Sequence, residues 1–156
     1  MSTFREAVLD TSQFAMTCEL IPGRGHSGKS IDNIMHCVGS LKDCANIHAV
    51  SITDNAGGNP ALSADILAGE IAQEGVDVIV HFACKDTNRN LIESRAYALQ
   101  RAGVQNLLVI SGDYPISGFL GVAQPVFDID SVITLHYLSK MNHGLRIQLG
   151  SRAHVL

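Results

Sequence analysis

VDVIVHFACKDTNRNLIESRAYALQRAGVQNLLVISGDYP, residues 76–115, reads as strand, loop, helix, strand and loop. Its two apolar runs, Val78 to Ala83 and Leu107 to Ile110, are short and uniformly apolar. Such runs suit parallel strands covered on both faces. Each run ends abruptly in polar residues, His81 to Asp86 in one case and Ser111 to Asp113 in the other. In α/β folds the functional groups gather at the carboxyl ends of the strands.

Outward from this stretch the pattern repeats. Phe14 to Ile21 is a strand candidate stopped by Pro22 and Gly23, and Ile47 to Thr53 is another. Helical spacing covers Ile31 to Cys44, with Ser30 as its expected cap. Further helices are expected over Ser63 to Glu74, Asn88 to Ala102 and Asp130 to Met141; glycines close the first two. Strand starts recur about every 30 residues, giving four consecutive βα units. The expected fold is therefore α/β with parallel strands, half of a (β/α)8 barrel. Residues 1–13 form a lead-in, 14–144 the partial barrel and 145–156 an irregular tail or an edge strand. Four strands leave two open edges, so a second copy or a partner subunit is expected to complete the barrel.

The totals fit one globular domain. The chain has 156 residues, 46% hydrophobic and 17% charged, with a formal net charge of -4. Its eleven Lys and Arg are scattered, which argues against nucleic acid. No apolar run approaches the roughly 18–20 residues that span a bilayer. The start, MSTFREAVLD, lacks the apolar core of an export signal. Cys18, Cys37, Cys44 and Cys84 form no C-x-x-C pair, so reduced thiols in the cytoplasm are expected. No His or Cys spacing suggests a metal site.

Several residues at the strand ends could carry chemistry. Glu19 interrupts an apolar strand. It is either a rim carboxylate held by a neighbouring cation or a general acid. Thr53 caps a turn or bonds a ligand. His81, in mid-run, reads by itself as a core histidine. Cys84 is either an inert structural thiol or one activated by Lys85. Gly112 lets a flat ligand approach the backbone, and Asp113 presents a carboxylate at the strand tip.

A rival lies in Gly23-Arg-Gly-His-Ser-Gly-Lys29-Ser30, which matches G-x-x-x-x-G-K-[ST] between a strand and a helix. As a phosphate loop it would need a carboxylate for Mg²⁺, and only Asp54 or Asp113 stands at a strand tip. Glu19 and Pro22 on the preceding strand also count against it.

Together the strand ends resemble the methylenetetrahydrofolate reductase family. The resemblance rests on Glu19-x-x-Pro22, Ser51-Ile-Thr53 before a Gly-rich turn, His81-Phe-Ala-Cys84, Ala102-Gly103-Val104-x-Asn106 and Gly112-Asp113-x-Pro115, and spans Phe14 to Met141. It implies a flavin-dependent barrel, with FAD rather than FMN. NAD(P)H would donate a hydride to the flavin, which reduces 5,10-methylenetetrahydrofolate to 5-methyltetrahydrofolate. By the same resemblance Glu19 protonates the folate N5 and Asp113 steadies the iminium cation and tunes the flavin. Thr53, His81, Ser111, Gly112 and Phe127 would line the cofactor. Two departures stand out. Pro22-Gly23 replaces paired prolines, and Ser111 replaces an arginine, which removes one expected phosphate or flavin contact. A non-catalytic flavin- or folate-binding half-barrel is the third reading.

Overall fold

Short apolar runs and glycine stops build four βα units in sequence. The computed structural model describes residues 3–144, 146–149 and 152–155. A short helix, α1 (Phe4–Leu9), comes first, held by a reciprocal capping box between Thr3 and Glu6. Then follow β1 (Thr17–Leu20), α2 (Lys29–Leu41), β2 (Ala49–Ile52), a 3₁₀ turn (Ala56–Gly58) and α3 (Ala64–Gln73). The second half is β3 (Val78–Ala83), α4 (Arg89–Arg101), β4 (Asn106–Ile110) and α5 (Ser131–Asn142). All three strand pairings in the sheet are parallel, in the order β1-β2-β3-β4. This is the α/β array of a partial barrel.

One face of the sheet meets the helices. Leu20, Val50, Ile52, Val80 and Phe82 point there and pack with Leu67, Ile71, Ile92 and Leu99. Each such buried side chain contributes about 1.5–3 kcal/mol over its exposed state. At the buried contact with α5, Cys84 Sγ lies 3.3 Å from Thr134 Oγ1. Cys84 is thus a packed, fully buried thiol.

The alternate residues, Glu19, Ser51, Ile79, His81 and Leu108, face the concave inner side and are absent from that core. Three sequence expectations change here. The run Leu107 to Ile110 is not covered on both faces: Leu108 is 46% exposed. Its outer neighbours Leu107 and Val109 pack on helices, while no described element packs over its inner side. His81 belongs to the inner side and not to the core. Helix α2 starts at Lys29, with Gly28 as its cap and Ser30 inside its first turn. Glycine at φ 108 lets the chain enter the helix two residues early, and its carbonyl accepts from Ile31 N and Asp32 N.

In the tail, β5 (Arg146–Leu149) pairs antiparallel with β6 (Arg152–Val155) and, among the described residues, joins no other strand. In place of the expected irregular tail or edge strand, β5 and β6 form a hairpin of their own. Residues 145, 150, 151 and 156 lie outside the described residues.

Candidate active site at the carboxyl ends of the strands

Direct partners across β1 and β2 are Glu19 and Ser51, and across β2 and β3 Ser51 and Ile79. Barrel strands tilt, so side chains meet along a staggered diagonal rather than straight across. Glu19 accordingly reaches over the small Ser51 to His81, two strands away, with Oε2 3.9 Å from Nε2. The carboxylate is 55% exposed and the imidazole 12%. Among the described residues no Lys or Arg pairs with Glu19, and the basic side chain beside it is His81.

Thr53, just past β2, is buried, and its backbone N–H donates to the Leu20 carbonyl (3.1 Å). Its Oγ1 is buried with no hydrogen-bond partner among the described residues. A buried hydroxyl without a partner is disfavoured by about 1–3 kcal/mol, which a ligand atom would recover.

The next residue is committed elsewhere. Asp54 Oδ2 accepts from the Ala83 backbone (3.3 Å) and from Arg95 Nη1 (3.1 Å). Arg95 also grips Asp65 through two bonds of 2.7 Å and lies 4.5 Å over the Phe82 ring. Burial pushes the Asp54 carboxyl above its ordinary range, and the Arg95 guanidinium opposes that. The network ties the tips of β2 and β3 to α3 and α4.

Past β4 the backbone turns at Gly112, φ 90, where a Cβ would lie 2.9 Å from Lys85 Cδ. Asp113 is exposed, and its Oδ2 accepts from Gly57 N (3.0 Å). Ser111 is exposed, with its hydroxyl 3.3 Å from that of Ser131. Phe127, at φ 40, is half-buried with its ring centroid 5.2 Å from that of Tyr114. Its loop is held by the Lys85 carbonyl, which accepts from Val126 N (2.7 Å) and Phe127 N (3.3 Å).

The first loop is laced to the same rim. Arg24 donates to Ser117 Oγ (2.5 Å), Ser117 to Asn59 Oδ1 (2.8 Å) and Leu62 N to the Gly23 carbonyl (3.0 Å). Lys29 and Ser30 are exposed on the first turn of α2. Asp54 and Asp113, the two candidates for the carboxylate a phosphate loop would need, are engaged by Arg95 and Gly57.

The sequence offered Lys85 only as a neighbour of Cys84; its own burial is what was missed. Its side chain is 2% exposed, and its ammonium pairs with Asp86 Oδ2. The alternation His81, Ala83, Lys85 could have put it on the inner side, but nothing local signals burial of a lysine one residue past a strand.

The family model for methylenetetrahydrofolate reductase matches residues 4–143. The chain belongs to this family. No curated relative matches it. Membership in the methylenetetrahydrofolate reductase family accounts for the α/β array and places the chain among folate-related oxidoreductases; nothing in the match supports the nucleotide-hydrolysing alternative.

Proposed function

We propose that the concave face at the strand tips seats a flavin, FAD rather than FMN, and that the chain reduces 5,10-methylenetetrahydrofolate to 5-methyltetrahydrofolate with NAD(P)H as donor. The single observation that carries this reading is the buried Thr53 hydroxyl with no partner among the described residues, within a match to the reductase family. A hydroxyl in that state suits a polar edge of a flat heterocycle. His81 and the inner side of β3 and β4 would flank the ring. Gly112, lacking a Cβ, leaves the backbone open to it, and Ser111 and Phe127 would border it. Bound flavin supplies the hydride acceptor and donor.

The protein's own residues supply the rest. Glu19, half-exposed on the inner face, gives the proton that opens the imidazolidine ring. Asp113 presents a carboxylate to the iminium cation that results. His81 stands beside Glu19 on the inner face, its Nε2 3.9 Å from the carboxylate. The open inner face and the free edges of β1 and β4 favour a barrel completed by a second copy or a partner subunit. Four free thiols suit the cytoplasm.

Anaerobic half-reactions test the acid. With Glu19→Gln, flavin reduction by NAD(P)H should stay near the wild-type rate. Reoxidation by methylenetetrahydrofolate should fall at least ~100-fold. Equal reoxidation rates in both proteins would remove Glu19 from the role.

A further inference from the structure

We propose that Lys85, Asp86 and Asn55 form a positioning chain that sets the carboxylate of Asp113. The consequence for flavin chemistry rests on the reading above; the linkage itself does not.

The chain starts with a buried ammonium. Lys85 is almost wholly enclosed, and a methionine would fill much of that space without a charge to desolvate. Its ion-pair partner Asp86 is partly exposed. Asp86 Oδ2, which accepts from Lys85 Nζ, also accepts from Asn55 Nδ2 at 3.0 Å.

Asn55 is the knot of the turn after β2. It adopts φ 48, a left-handed conformation that asparagine tolerates better than most residues. Its Oδ1 accepts from Ala61 N (2.9 Å) and its carbonyl from Gly58 N (3.1 Å). The turn so closed presents Gly57 N–H to Asp113 Oδ2 (3.0 Å) and the Gly58 carbonyl to Ile116 N (3.2 Å). Asp113 is thus an exposed carboxylate held by one N–H, whose direction is fixed through Asn55 and Asp86. A second route converges on it. The carbon stem of Lys85 packs against Gly112, the residue just before Asp113.

Hydrogen exchange at the Gly57 amide, followed by NMR on the full chain, tests the linkage without any ligand. Asp113→Ala, which removes the acceptor, should speed that exchange about 10-fold. Asp86→Ala and Asn55→Asp should each do the same, and so should Lys85→Met. The double variant Asp86→Ala/Asp113→Ala should exchange no faster than Asp113→Ala alone, because both changes break one path. A general loosening of the loops would instead multiply the two effects, and that result overturns the proposal. So does a wild-type rate at Gly57 in Asp86→Ala; a wild-type rate in Lys85→Met removes Lys85 from the chain. With FAD added, Asp86→Ala and Asp113→Ala should shift the reduction potential of the bound flavin in the same direction, and opposite shifts would contradict the proposal. If FAD does not bind the wild-type chain, the functional reading fails while the exchange result still decides the linkage.

Discussion

Gly58 occupies a position closed to every other residue. Its φ is +72, and a Cβ there would lie 2.1 Å from the Tyr114 carbonyl oxygen and 3.0 Å from Ile116 N and Pro115 Cα. All three obstacles are backbone, so none can swing away. Gly58→Ala should therefore lower stability by about 2–4 kcal/mol in urea unfolding. A loss under about 0.5 kcal/mol would show that the two loops are not in close contact. The neighbouring Gly57, at φ +60, has open space around it, its nearest obstacle being Asn59 Nδ2 at 3.7 Å. The sequence shows two adjacent glycines and cannot say which one is pressed against a loop some 55 residues on. The same holds for Lys85. Its place after an apolar run is visible, but its enclosure depends on Gly112 and Asp86, and only the first of these is remote in the chain.

At the scale of elements, α4 illustrates how a helix start is fixed from a distance. Asn88 caps it through Leu91 N (3.0 Å), and Asp128, from the loop before α5, accepts from Arg89 N (2.9 Å), Nε (2.8 Å) and Nη2 (3.0 Å). The Arg89 side chain and backbone hold the Asp128 carboxyl at about 2. A folded-state pKa below the ordinary value of 3.8 means that the stabilisation is present above that value and is lost as pH falls through about 2. An NMR titration of the Asp128 carboxyl carbon should show a midpoint near 2 in the wild type and a higher one in Arg89→Met, which loses the side-chain bonds and keeps the backbone N–H. Identical midpoints would break the assignment. The sequence placed Asn88 at the start of the helix, and it is the cap; Asp128 was not legible, because its partner lies 39 residues away. The βα order and all four main helices followed from periodicity and glycine stops. The half-exposed state of β4 did not, since Leu107 to Ile110 is apolar on both faces and carries no alternation to read.

The molecule as a whole is an open parallel sheet with helices on one side. Leu108 on the inner face, Val132, Ile133 and Leu135 on α5, and Ile21 beyond β1 are all exposed. Apolar surface of this kind beside free strand edges favours association. Sedimentation should find the wild-type chain larger than a monomer, with Leu108→Lys shifting it toward the monomer; a monomeric wild type would count against closure by a second copy. Whether the concave face is a cofactor seat is the central question, and the direct measurement is a fluorescence titration of FAD with the wild-type chain and with Thr53→Val. The account predicts saturable quenching by the wild type and a dissociation constant about 10-fold weaker for the variant, which keeps the shape but loses the hydroxyl. Equal affinities, or no quenching by the wild type, would contradict it.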